Sequence, residues 1–313
     1  MRHLRIMGLC LIAALVVSVA TASNALAVKN PTKSLAIYKN CPTEAHAEQN
    51  GHQVELCIFG ATEVGEKGSS AGGSFRVGPI TVPIEKQIKL QYGLVENEKT
   101  GEEYSVLPTD GAPAIEPTPE NVPGEPIGHI TAAEQEELGW PSGLKYSYAQ
   151  AQKKGLVRHA TETIEIAGVP ATSRNNIIGR GGVGVEAPIQ IKAGNAWLSG
   201  LGTVCTIGSA EHPIVQHLTS GTSVSPLTGE KLEGSPGELN IYDFGSALWL
   251  THSELVDNTY AVPGAVCSGP YASQIAATID KEFSIPQPAG ASVTIIKGTL
   301  YSGAAEYIAE KGF

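Results

Sequence analysis

Aromatic and charged side chains are both scarce in this chain. Phe, Trp and Tyr make up 6% of it and Asp, Glu, Lys and Arg 17%. So few charges argue against a solvated coil, because the 42% apolar content is enough to fill a core. Bases are the scarcer charge, 21 against 31 acids, for a formal net charge of −10. An acidic surface repels phosphate backbones and anionic lipid headgroups, which argues against nucleic acid or an anionic membrane as partner. No apolar run beyond the N-terminal one is long enough for a membrane helix of ~20 residues, so no stable membrane insertion is expected. Cys-x-x-Cys spacing is missing, which removes the usual zinc frame. The Asp-x-Asp-x-Asp-Gly register of a calcium loop is missing too. We therefore expect no metal and no cofactor.

What is present begins with a leader. Arg2 and Arg5 precede an apolar stretch from Ile6 to Ala20, and Ala25-Leu26-Ala27 supplies small residues for cleavage. This is the layout of a secretory signal peptide over residues 1–27. Cys10 would leave with it, so Cys41, Cys57, Cys205 and Cys267 remain. An even number of cysteines in an exported chain favours disulfides over thiol chemistry, and of the three possible pairings we expect the nearest-neighbour one, Cys41–Cys57 and Cys205–Cys267.

The mature chain divides by composition into an N-terminal β segment (28–93), an acidic, proline-rich and helical insertion (94–155), a main β domain (156–303) and a tail (304–313). Val54 to Phe59 is a β-type run. Ser74 to Val77 and Ile80 to Val82 read as a hairpin across Gly78-Pro79, with Ile88 to Tyr92 following. From Glu96 to Pro126 six prolines and eight acids accompany one base, Lys99, which predicts an extended, mobile segment. Thr131-Ala-Ala-Glu134 has capping-box spacing for a helix stopping at Leu138, and Ser142 can cap a second helix with Trp140, Leu144 and Tyr148 inward.

Ala160, Glu162, Ile164 and Ile166 alternate with Thr161, Thr163 and Glu165, as on a half-buried edge. Val183, Val185, Ala187, Ile189 and Ile191 give the cleanest period of two. Further strand-like runs reach Val262. A late helix capped by Ser268 carries a Tyr271, Ile275, Ile279, Phe283 stripe, and a last strand spans Ser292 to Tyr301. The fold expected is mainly β: an antiparallel sandwich or irregular barrel with a small helical insertion and one late helix.

Chemistry has few candidates. Gly179-Arg-Gly181-Gly-Val-Gly184 matches the dinucleotide fingerprint, but a β-type run follows it where a helix is needed. Ser209 has Glu211, His212 and His217 close in sequence, a thin basis for a serine hydrolase. On one strand His252 and Glu254 would share a face and Ser253 would not. Glu165, Glu186, Asp243 and Glu254 are acids in β-type segments with nothing to pair two of them. Trp197, Tyr242 and Trp249 are the rings available for a sugar face.

Several stretches carry a resemblance. Cys41-Pro42 and Cys57 precede Gly73 to Ile84. Cys205-Thr-Ile-Gly-Ser209 is followed by His212 to Val215 and by Leu218 to Thr222. Leu255-Val-Asp-Asn258 runs on to Ala261-Val-Pro-Gly264. Over most of the mature chain, apart from the acidic proline segment, this resembles an uncharacterised family of secreted proteins from high-GC Gram-positive bacteria. The resemblance implies an extracellular or cell-envelope location and attaches no activity. The expected role is a non-catalytic binding or structural module with a cell-wall or extracellular ligand. The competing readings are a secreted hydrolase of esters or glycans, and a lipid or small-ligand carrier with a cavity lined by Val185, Ile189 and Ile214.

Overall fold

The computed structural model describes residues 35–42, 54–66, 69–96, 103–108, 112–173, 176–242 and 247–311. The leader over 1–27, Cys10 and Asp243 lie outside the described residues. A 3-10 turn (Leu35–Tyr38) precedes β1 (Leu56–Thr62), β2 (Gly73–Val77), β3 (Ile80–Pro83), β4 (Lys89–Glu96), β5 (Glu103–Val106) and β6 (Pro119–Asn121). Helices α1 (Ala132–Glu137) and α2 (Ser142–Lys153) lead to β7 (Thr161–Ile166), β8 (Ala171–Thr172) and β9 (Val185–Gly194). Then come α3 (Ala196–Leu201), β10 (Val204–Ile207), β11 (Ile214–Leu218), β12 (Thr222–Val224), β13 (Lys231–Glu233), β14 (Glu238–Tyr242) and β15 (Ala247–Asp257). The chain closes with β16 (Ala265–Ser268), α4 (Ala272–Phe283), β17 (Val293–Ala304) and α5 (Ala305–Lys311).

Two long strands organise two antiparallel sheets. In the larger, of order β14-β15-β17-β1-β4-β5, β17 pairs with β15 on one edge. Its other edge is shared by β1 and by the β2–β3 hairpin. In the smaller, of order β16-β10-β9-β7-β6, β9 also holds β11 and β8 along its two edges. The sheets are not closed into a barrel, so of the two expected forms the protein takes the sandwich. Pro188 lies inside β9 rather than at a strand start. It sits where the partner on one edge changes from β7 to β8, so its missing N–H interrupts no continuous ladder.

The main core joins the sheets. Ile189, Ile191, Ile207 and Ile214 from the small sheet cluster with Phe75, Val77 and Leu250 from the large one, and with Ile275, Ile279 and Phe283 of α4. Burying each of these side chains contributes roughly 1.5–3 kcal/mol. Trp140, Tyr148 and Trp197 join the same core, with ring centroids 5.1–6.0 Å apart.

Both expected disulfides are present. Cys205 and Cys267 are direct cross-strand partners of β10 and β16, with Cα atoms 4.1 Å apart. Cys41–Cys57 ties the 3-10 turn to β1. The Thr131–Glu134 capping box forms as expected. Ser142 does not cap α2, because Pro141 already holds the extended N-cap conformation (φ −69, ψ 158) and leaves Ser142 in the first turn. Ser268 does not cap α4 either. It extends β16 opposite Val204, beside the disulfide, and the helix starts after Tyr271 at φ +57.

Two expectations about polar or terminal segments are overturned. Within the acidic proline segment Glu103–Val106 form β5, and residues 112–126 are held against the sheets. Ala114 and Ile115 are buried, and the backbone of 114–116 bonds to β4 of the large sheet, Gln91 N–H to Ala114 O and Glu116 N–H to Lys89 O. A few residues on, β6 pairs with β7 of the small sheet. The segment is a strap across the seam, because ladder bonds and three apolar contacts (Ala114, Ile115, Val122) offset the polarity of the rest. The tail is helical rather than frayed. Ala305 and Ile308 of α5 are fully buried against Tyr38, and Gly303 permits it: a Cβ there would lie 2.9 Å from Ile308 Cδ1 and 3.2 Å from the Tyr38 ring.

Candidate functional site

The 3-10 turn and α5 cover one end of the outer face of the large sheet, packing on Cys57 and Val95. At the border of this cap the sheet presents a row of side chains at one register level. Asn240 on β14 is opposite Trp249 on β15, which is opposite Tyr301 on β17, then Phe59 on β1 and Gln91 on β4. Trp249, Tyr301 and Phe59 are half-buried. Their ring centroids are 5.0 Å apart for Trp249–Tyr301 and 5.7 Å for Phe59–Tyr301, with interplanar angles of 72° and 55°. The rings are thus canted edge to face, the geometry aromatic quadrupoles favour.

Beyond this ledge the outer face turns polar. Thr251, Thr299, Ala61 and Lys89 occupy the next level, and Glu254 and Lys297 the one after, with their charges 3.4 Å apart. Lys89 Nζ meets Glu116 at 3.0 Å and His252 Nδ1 meets Glu63 at 3.2 Å. A bulge in β15 between Leu250 and Ser253 creates this field. His252 takes φ +55 there and the strand's parity changes. Ser253 turns inward and donates its hydroxyl to the carbonyls of Pro236 and Leu250, while Glu254 comes out. His252 and Glu254 thus lie outside and Ser253 inside, as alternation within 252–254 implied, although the bulge sets the three out of step with Trp249 and Thr251.

The other sequence candidates do not form reactive sites. Ser209 donates to Glu211 and accepts the His212 N–H, a polar turn between β10 and β11. Gly68-Ser69-Ser70-Ala71-Gly72 has the Gly-x-Ser-x-Gly spacing that sequence reading passed over. Gly68 lies outside the described residues, and the rest is a turn into β2 with no helix after it. Gly179 to Gly184 runs into β9, as its sequence context implied. Glu165 accepts from Gln190 at 3.0 Å. Val185, Ile189 and Ile214 are packed in the main core.

His217 is better placed. Its Nε2 is 3.7 Å from Glu186 and its Nδ1 3.3 Å from the Thr259 hydroxyl. That hydroxyl donates to Asp257 Oδ1 at 2.8 Å, and buried Asp257 also accepts the N–H groups of His217 and Thr259. A hydroxyl that gives its proton to a carboxylate is not a nucleophile waiting for a histidine base. The arrangement is a clasp between β11 and the end of β15.

No family model matches this chain, and no curated protein or solved structure matches it either.

The structure brings together one carboxyl pair that sequence reading missed. Glu120 on β6 and Glu162 on β7 are direct cross-strand partners, and both are buried. Burial first, then the Glu120 charge, pushes Glu162 up to about 8. Burial also raises Glu120, while hydrogen bonds from the N–H groups of Lys86 and Glu85 pull it back. The available signal was Glu162 itself, which keeps step with Ala160, Ile164 and Ile166. At 2% and 5% exposure the pair is closed to substrate.

Proposed function

We propose that the protein is an exported, non-catalytic binding module of the cell surface or its surroundings, and that the aromatic ledge of the large sheet takes a glycan. The observation that carries the reading is the half-buried Trp249–Tyr301–Phe59 row, bordered by hydroxyl and charged groups. A sugar ring offers an apolar face for an aromatic ring and hydroxyls for polar neighbours, and this surface has both kinds of partner side by side. The canted rings suit a twisted or branched chain better than a flat crystalline surface.

Export is supported by the leader pattern at Met1 to Ala27, by the resemblance to secreted proteins, and by two disulfides, which persist in an oxidising compartment. No helix among the described residues is long and apolar enough to cross a membrane. The test is retention of the purified mature chain on insoluble cell-wall polysaccharide and on a panel of immobilised glycans. The wild type is expected to be retained, and Trp249→Ala with Tyr301→Ala to lose at least tenfold while circular dichroism is unchanged. Failure of the wild type to bind any glycan, or equal retention of the double variant, overturns the reading.

A further inference from the structure

We propose that Glu120 and Glu162 form a proton-dependent clasp: while Glu162 keeps its proton the strap of residues 112–126 lies across the seam between the sheets, and loss of that proton in alkaline solution lifts the strap and opens the seam.

The argument starts from register. Glu120 and Glu162 face each other on adjacent antiparallel strands, where like charges directly opposed are destabilising. Both are withdrawn from water, so ionising both would place two unscreened charges side by side. Their surroundings are unequal. Glu120 accepts the N–H groups of Lys86 at 2.9 Å and Glu85 at 3.3 Å, which favours its charged form. Glu162 borders a small cavity lined by Val122, Ile127, Ile191, Ile207 and Phe283, and burial and the Glu120 charge both disfavour its ionised form. Glu120 is therefore the partner that ionises and Glu162 the one that stays neutral.

The groups facing the pair leave this assignment intact. The Lys86 charge favours ionised Glu120, and Glu85, on the same connection between β3 and β4, opposes it. Lys86 Nζ also donates to Pro119 O at the start of β6. Tyr260 feels Glu162 from the loop after β15, but burial pushes its phenol upward, so it stays neutral throughout the range concerned. None of these neutralises a second carboxylate on Glu162.

The strap is the element that yields. β6 has three residues, and the first, Pro119, has no N–H for the ladder. Short, weakly bonded elements open below the energy of global unfolding. Separating β6 from β7 brings water to both carboxylates and ends their repulsion.

The test is amide hydrogen exchange on the full, disulfide-intact chain between pH 6 and pH 9, expressed as protection factors. In the wild type, protection at Glu116 and Val122, whose N–H groups bond to Lys89 O and Ala160 O, is expected to fall at least tenfold. Protection at Ile191 and Leu300 in the two spine strands is expected to hold. In Glu162→Gln the strap amides should show no such fall. A wild-type strap indifferent to pH, or a variant that loses protection equally, overturns the proposal. If Glu162→Gln does not fold, carboxyl carbon-13 titration of the wild type decides: Glu162 titrating between pH 7 and 9 supports the clasp, and Glu162 titrating with the ordinary carboxylates overturns it.

Discussion

β9 and β17 are the spines of their sheets, and their side chains are buried in different ways. β9 hides Val185, Ala187, Ile189, Ile191 and Ala193 and turns every other residue outward. β17, two residues longer, hides only Thr294, Gly298 and Gly303, and leaves the rest half-buried. The small sheet has one dry face and one wet face, so its spine must alternate. The large sheet carries the core on its inner face, and on its outer face a cap, an aromatic ledge and a polar field in succession. Blurred alternation marks the strand covered in part on both faces, and sharp alternation the strand with one buried and one exposed face.

The strongest way to break this contrast is pH. The unfolded chain gives up the Glu162 proton near 4.5, whereas the folded chain keeps it to about 8. Each rise in pH across that window favours the unfolded state. The stability is fully present below pH 4.5 and lost progressively as the pH rises toward about 8. Urea midpoints should fall accordingly in the wild type, and much less in Glu162→Gln. Equal pH profiles would detach the small sheet from this effect.

Next come the staples. Removing Cys205–Cys267, whose ends are 62 positions apart in sequence, is expected to cost about 4 kcal/mol. Removing Cys41–Cys57, 16 positions apart, should cost about 3 kcal/mol and loosen the cap over the large sheet. Alanine pairs compared by thermal melting check both, and a larger loss at Cys41–Cys57 would reverse the order. Ile191→Ala, at the centre of the small sheet, should cost about 3 kcal/mol, against roughly 0.5 kcal/mol for Thr299→Ala on the outer face of the large one. Similar losses at the two sites would erase the distinction between the spines. The smallest effect belongs to His252→Ala. Its contact with Glu63 is a surface pair, so stability should change by less than ~0.5 kcal/mol. A larger loss would mean that the bulge needs its histidine.

Most local signals read correctly where neighbours in sequence decide the outcome, the Ser142 and Ser268 caps excepted. The β2–β3 hairpin turns at Gly78-Pro79 with Val77 opposite Ile80, the Thr131–Glu134 box caps α1, and the inner set of β9 follows its alternation. Ile275, Ile279 and Phe283 form the buried stripe of α4. α3 went unread although Asn195 caps it and Gly202 ends it in the left-handed region, because six residues are too few to show a period. The ledge was illegible for a different reason. Trp249 was named, but Tyr301 and Phe59 reach it only through strand pairing across the whole chain. Glu162 was visible as an acid among apolar positions, and nothing near it pointed to Glu120 on the strap.

Alternation, caps, turn residues and cysteine parity settled by themselves that this chain is an antiparallel, disulfide-stapled β protein, since each acts between residues a few positions apart or through simple counting. Tertiary structure alone decided which strands are neighbours, where a bulge reverses the facing of Ser253 and Glu254, and that a polar strap closes the seam. Those outcomes depend on contacts between distant segments, whose energy no local pattern records.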